Sequence, residues 1–315
     1  MSDMVKKGCA GVGALGLFIV VGVVATLVSM FMNLDVAGDD QVRGPTSVPI
    51  TTTEPRDDAP RPNDGPSPSA PDTKGDAPSS RKGGSIAYPN TPVARRGNVK
   101  IESFSSSKRN LMKIHADRPR TFYCGCGFEP SKSIDLRECK YEIRSNKSRA
   151  SRVEFEHVVP ASAFGHQIDA WTKGHPKCTS SNGKKYKGRR CAERASSEFE
   201  LMQADMHNLQ PAVGEVNADR LNYVMAELDG EVREYGVCDV EIRDKKIEPR
   251  PEVRGDIART YLYMDWAYPK YHLIPDAKQR AMFERWAKDD PVDSWERKRA
   301  RRVADVQGNV NPFVE

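Results

Sequence analysis

Six of the seven cysteines lie between residues 124 and 238, and that confinement most constrains what the chain can fold into. Cys124, Cys126, Cys139, Cys178, Cys191 and Cys238 form an even set, whereas Cys9 stands alone near the N-terminus and reads as an inert thiol. An even set in an exported domain reads as three disulfides, with the connectivity left open by sequence. Cys178 and Cys191 flank a short polar loop and are expected to pair. Cys124-Gly-Cys126 is a C-x-C and lacks the C-x2-C spacing of zinc ribbons, so a metal-staple reading is the weaker one.

An export signal stands in the right place. Residues 12–32 (VGALGLFIVVGVVATLVSMFM) carry no charge, and ~20 such residues span a bilayer as a helix. Lys6 and Lys7 precede the run, and Asp35, Asp39 and Asp40 follow it. The positive-inside rule then leaves residues 1–11 in the cytoplasm and the remainder outside. The expected location is the cell membrane, as a single-pass protein with its folded domain extracytoplasmic. A cleaved signal peptide, and hence a secreted protein, is the rival reading. Residues 33–98 are rich in Pro, Ser, Asp and Gly and poor in large apolar residues. They cannot bury enough surface to offset ordering entropy and read as a disordered linker. The folded domain is expected over 99–315, as a monomer without internal repeats. A net charge of +5 does not by itself imply a nucleic-acid partner.

Within that domain the pattern predicts an α+β, mostly helical fold. Leu111 to His115 suggests a short helix before Pro119. Val153, Phe155 and His157 alternate with Glu154 and Glu156, which predicts a strand ending at Pro160. Residues 174–194 read as a basic loop bounded by a disulfide. Helices are predicted over 211–222, 254–264 and 276–288. A fourth opens at Asp293-Ser-Trp-Glu296, which has capping-box spacing, runs to about Val306 and ends at Gly308.

The chemistry concentrates in Glu156-His-Val-Val-Pro160, His207-Asn-Leu209 and Glu215-Val-Asn217. A carboxylate and an amide oxygen suit a hard cation that keeps several waters, above all Mg²⁺, with Ca²⁺ or Mn²⁺ as alternatives. An imidazole with an ordinary pKa of about 6.5 can take a proton from water. Strict strand alternation would send Glu156 and His157 to opposite faces, so both serve one site only if the strand ends or bulges there. An arginine of the basic loop can grip a phosphate with its fork. Lys184, Lys185, Lys187, Arg189 and Arg190, and the cationic helix from Trp295 to Arg302, offer a backbone-directed phosphate track, against the bland reading of solvated charge. His166 and His175 read as structural, and His207-Asn208 as support for the segment before the 211–222 helix.

These residues resemble the bacterial endonuclease I family of periplasmic and extracellular deoxyribonucleases, within the ββα-metal (His-Me finger) superfamily. The resemblance covers roughly residues 105–314. It rests on Tyr123-Cys-Gly-Cys126, Glu154-Phe-Glu-His-Val-Val-Pro-Ala161, Phe164-Gly-His-Gln167, Gly174-His-Pro176, Lys187-Gly-Arg189, Asp205-Met-His-Asn-Leu209, Gly214-Glu-Val-Asn217, Asp219-Arg220, Arg254-Gly255, Tyr261-Leu-Tyr-Met264 and Gln307-Gly-Asn-Val-Asn-Pro-Phe-Val314. It implies that Glu156 and Asn217 hold the metal, that His157 activates water and that Arg189 contacts phosphate. Lys185, Lys187 and Arg190 are then candidate nucleic-acid contacts. It further implies cleavage of DNA, and often RNA, with little sequence preference and 5′-phosphate products. Ala218 stands where the family usually has Gly, and the anchor and linker are additions to the usual exported enzyme. A non-catalytic surface module for nucleic-acid binding or uptake is the alternative, and it predicts the same domain without turnover.

Overall fold

The computed structural model describes residues 85–92 and 96–314. The expected span at 12–32, residues 1–11 and most of the 33–98 linker lie outside the described residues. Among those described, no helix is long and apolar enough to cross a membrane.

The chain order is α1 (Phe104–Ile114), α2 (Lys147–Ala150), β1 (Val153–His157), α3 (Ala161–Gly165), α4 (Asp169–Thr172), α5 (Arg189–Ala195), α6 (Ser197–Gln203), β2 (Leu209–Val213), α7 (Gly214–Arg220), β3 (Val224–Met225), β4 (Val240–Arg243), β5 (Lys246–Pro249), α8 (Arg254–Ala267), α9 (Ala277–Asp289) and α10 (Ser294–Gln307). The fold is α+β, as the residue pattern implied. Strands β1 and β2 pair antiparallel without a bulge, from Val153 opposite Val213 to His157 opposite Leu209. Helix α7 follows β2 directly and packs on both strands. These three elements form a compact ββα unit. A second sheet has the order β3-β5-β4, with β3 parallel and β4 antiparallel to β5.

The helix expected over 211–222 divides differently. Residues 209–213 form β2, and only Gly214–Arg220 is helical. All five β2 residues are buried. Pro211 has no N–H to give, which a two-stranded sheet tolerates at an open edge. Its carbonyl is not idle: Phe122 N–H donates to it at 2.7 Å. The predicted 174–194 loop is also shorter than expected, because α5 begins at Arg189.

Helix α8 lies at the centre, buried nearly all round, and packs mainly against α9. The predicted α10 caps are present. Asp293 accepts from the Glu296 N–H at 2.6 Å, and Gly308 closes the helix at φ +88°. One cation of its stripe, however, turns inward. Arg299 is buried and donates to the Met206 and Leu209 carbonyls. Lys298 and Arg302 pair with Asp117. Arg299 is thereby withdrawn from the phosphate track expected of this helix, while Arg297, Lys298 and Arg301 stay exposed.

Ordered contacts begin ahead of Asn98. Tyr88 O–H donates to Asp265 at 2.6 Å, and Trp266 Nε1–H donates to the Pro89 carbonyl at 2.8 Å. Three disulfides staple the fold: Cys124–Cys238, Cys126–Cys139 and the expected Cys178–Cys191.

Candidate functional site

The regular register of β1 sends alternate side chains to opposite sides. Glu154 and Glu156 meet α7, while His157 meets α1, α5 and α6. The strand does end at His157, so the two sets lie back to back at its last residues.

On the first side, Glu156 is 2% exposed. Its Oε1 accepts from Tyr123 O–H at 3.1 Å and from Arg220 Nη1. Arg220 is equally buried and also donates to the His157 and Val158 carbonyls at 2.7 Å, clamping the end of the strand. Burial pushes the Glu156 carboxyl up from the usual range, opposed by the Arg220 charge. Oε2 of Glu156 takes no hydrogen bond among the described residues. One strand period earlier, Glu154 accepts from Asn217 Nδ2 at 2.8 Å and from Arg149 and Arg152. Burial pushes the Glu154 carboxyl up, but these donors outweigh it and hold the group below its usual value. A carboxylate only accepts, so Nδ2 of Asn217 must face it. That leaves Oδ1 of Asn217 without a donor among the described residues. Gly214 permits the close approach: a Cβ there would stand 2.6 Å from the Arg149 carbonyl and 2.9 Å from Glu154. Glu215, in the same motif, is fully engaged by Tyr141 and the backbone of residues 144–146.

On the other side, His157 is buried, and its Nε2 lies 2.8 Å from the Gln203 carbonyl. A carbonyl only accepts, so Nε2 carries the proton and Nδ1 keeps its lone pair. Burial, reinforced by the nearby Arg189 charge, pushes this imidazole down to about 3. Arg189 is held by Glu193 at 3.1 Å and the Gln203 side chain at 3.2 Å. Its Nη1 meets no acceptor among the described residues. Phe104 joins the group: its ring lies 4.8 Å from His157, 5.4 Å from the Arg189 guanidinium and 4.7 Å from the Lys108 ammonium.

The structure thus brings His157 and Arg189 together on one side, and on the other sets Glu154 and Glu156 against α7, which carries Asn217. No direct contact joins the His157 ring to Asn217 among the described residues. Lys185 and Lys187 are exposed on the loop before α5, and Arg190 lies over the Tyr186 ring at 5.2 Å. Asn208 bridges the Val159 N–H and carbonyl at 2.7 and 2.9 Å, the supporting role expected for it. His166 packs edge-on against Trp171, and His175, which is exposed, accepts from the Lys177 N–H. Phe104, Lys108, Gln203 and Tyr123 were not singled out for the site from sequence. Glu154 and Arg220 stood in the motifs without an assigned role. The period-two spacing of Glu154 and Glu156 could have placed Glu154; nothing local marks Phe104 or Gln203, which reach the site only through tertiary packing.

Comparison with known proteins places the chain in a family. The family model described as Endonuclease I matches residues 97–315. The chain is 42% identical over 220 residues to an extracellular deoxyribonuclease of Aeromonas hydrophila, covering 68% of this chain and 89% of that protein. It is also 42% identical over 220 residues to a periplasmic deoxyribonuclease of the same organism, covering 68% and 86%. Endonuclease-1 of Buchnera aphidicola subsp. Acyrthosiphon pisum (strain APS) is 43% identical over 219 residues, covering 68% and 81%. With a ββα unit carrying its histidine at the end of the first strand and most of its length matched, the chain belongs to the endonuclease I family and is an endonuclease.

Proposed function

We propose that this endonuclease hydrolyses DNA phosphodiester bonds with little sequence preference, using His157 as general base and one divalent cation. The observation that carries the reading is the His157 Nε2 bond to the Gln203 carbonyl. It fixes the tautomer, so Nδ1 is the atom that takes a proton from the attacking water. With its pKa pushed down to about 3, the imidazole is unprotonated at neutral pH. An incoming phosphate brings negative charge, which raises its basicity when the proton must move.

The residues fit a hard cation. Glu156 Oε2 and Asn217 Oδ1 are oxygens whose partner atoms are pinned while they themselves take no hydrogen bond among the described residues. A sparse set of one carboxylate and one amide favours Mg²⁺, with Mn²⁺ or Ca²⁺ as substitutes. When bound, the cation offsets the charge that builds on the scissile phosphate and the leaving oxygen. Arg189 is oriented by Glu193 and Gln203 so that Nη1 can donate to a phosphate oxygen. Lys185, Lys187 and Arg190 supply backbone contacts that carry no base information. In-line attack that expels the 3′ oxygen leaves the 5′-phosphate products expected for the family, and RNA is a further substrate of the same chemistry.

The three disulfides support action in an oxidising compartment. With relatives named extracellular and periplasmic, we place the domain outside the cytoplasm, as a monomer tethered by residues 12–32. Extraction of cell membranes with alkaline carbonate tests the tether: release of the full-length chain into the soluble fraction would refute it.

The activity test is nicking of supercoiled plasmid by the oxidised full chain. Cleavage is expected with Mg²⁺ and lost with EDTA or in His157→Ala. Binding of DNA without cleavage by the wild type would instead favour the non-catalytic module.

A further inference from the structure

A second set of acidic groups lies away from these residues, on the loop leading into β4. One carboxylate oxygen each from Glu231, Asp239 and Glu241 lies within 4.8 Å of the other two. The set is graded in exposure: Glu231 is exposed, Asp239 half-buried and Glu241 buried. A single cation answers them. Arg233 pairs with Glu231 at 2.8 Å and with Asp239 at 2.6 Å. Neither pairing reaches Glu241, which is 3% exposed and whose Oε1 is buried with no hydrogen-bond partner. Its cross-strand neighbour on β5, Glu248, offers no relief. Glu248 is already held by Arg254 at 2.7 Å and by the Leu228 N–H at 2.6 Å. Such a buried carboxylate must hold a proton or a cation, because a bare charge there is costly.

We propose that Glu231, Asp239 and Glu241 form a second divalent-cation site, suited to Ca²⁺, that ties the 231–239 loop to β4. With one guanidinium among three carboxylates, the uncompensated charge matches a divalent ion. Ca²⁺ takes oxygens at about 2.3–2.6 Å in flexible geometry, and three carboxylate oxygens within 4.8 Å of one another lie inside its reach. Mg²⁺ demands near-ideal octahedral geometry and keeps several waters, which makes Ca²⁺ the apter ion for three protein carboxylates. The exposed Glu231 gives the ion a way in, and the buried Glu241 gives it an anchor. The site adjoins Cys238, whose disulfide reaches Cys124; the next residue, Tyr123, donates to Glu156. The loop is thereby fastened to the strand that carries the catalytic histidine.

The experiment is equilibrium dialysis of the oxidised full chain against Ca²⁺, with melting temperature read in parallel. Wild type should bind one more equivalent of Ca²⁺ than Glu231→Gln or Glu241→Gln, with a dissociation constant on the order of 10⁻⁴–10⁻³ M, as in extracellular modules. Both variants should lose the Ca²⁺-induced rise in melting temperature. Glu231→Gln, at an exposed position, should keep wild-type plasmid nicking in Mg²⁺. Asn217→Ala should retain this equivalent, which separates it from the cation assigned to the active centre. Equal Ca²⁺ stoichiometry in wild type and Glu231→Gln, or an equal rise in melting temperature, would overturn the proposal, whatever the fate of the Glu241 variant.

Discussion

At the scale of single residues, function divides between the two sides of one strand. In the proposed mechanism His157 owes its role to a carbonyl that can only accept, and replacing its imidazole would remove the base without touching the α7 side. His157→Ala should lower kcat on the order of 10²–10⁴-fold, the usual contribution of a positioned base. DNA binding, read by fluorescence anisotropy, should stay near wild type; a mutant that still nicks at the wild-type rate would strip His157 of the role. Arg220 presents the opposite case. It touches no substrate in this reading, yet with the Tyr123 hydroxyl it offsets the buried Glu156 charge, and it caps two carbonyls. Arg220→Leu leaves an unpaired buried carboxylate, which costs about 3–5 kcal/mol. Urea denaturation should show that loss, and a midpoint within error of wild type would mean that Glu156 is protonated in the native protein. The sequence announced Glu156, His157 and Asn217, because adjacent donors in a short motif are visible in one dimension. It did not announce that Glu154 turns the Asn217 amide, because that contact spans 63 positions and depends on α7 lying against β1.

At the scale of elements, legibility follows how local the cause is. Helix α10 was readable to its ends, since an Asp cap and a Gly stop act within four residues. Strand β2 was misread as the start of a helix, since Pro211 suits a first helical turn and only pairing with β1 makes the segment extended. The charge stripe of α10 was readable as charge but not as direction. Arg299 turns inward to the Met206 and Leu209 carbonyls, while Lys298 and Arg302 meet Asp117 at the surface, and no periodicity reports that division. The join of α8 to α9 gives an element-scale test. A Cβ on Gly255 would stand 1.9 Å from the Asp290 carbonyl oxygen, a backbone atom that cannot rotate away. Ala for Gly favours a helix by at most ~1 kcal/mol, whereas overpacking a tight contact costs ~1–3 kcal/mol. Gly255→Ala should therefore lower the melting temperature despite its better helix propensity. A gain in melting temperature would show that the end of α9 yields.

At the scale of the whole molecule, the domain combines covalent staples with buried ionisable groups, and the two respond to different conditions. Cys124–Cys238 closes a span of 114 positions, so reduction frees a long loop of the unfolded chain. Loss of native disulfides in exported domains costs ~2–5 kcal/mol, and strong reductant should abolish nicking by unfolding the enzyme. Retained activity with three free thiol pairs would remove the staples from the account. The response to acid is governed by histidines and paired carboxylates. Burial pushes His115 down to about 3, aided by Arg299, and lowers His157 and His207 in the same direction. In the unfolded chain these groups titrate at about 6.5. Between those values the unfolded chain binds protons that the folded chain refuses, so stability is complete above about 6.5 and is lost as pH falls towards 3. Glu241 pulls the other way. Its folded value near 7 lies above the unfolded value of about 4.3, so its contribution is present in acid and lost as pH rises through 7. Glu156, Asp256 and Asp290 are raised by burial and share that direction, whereas Asp117, Glu154, Glu215 and Glu227 are held below their usual range and, like the three histidines, withdraw their support as pH falls. The histidines and paired carboxylates together set the sign, and the melting temperature in EDTA should fall from pH 7 to pH 4. Added Ca²⁺ should steepen that fall, because it displaces the Glu241 proton and stabilises the fold only where the carboxylate is charged. A melting temperature flat across this range would mean that the buried histidines gain protons without opening the fold.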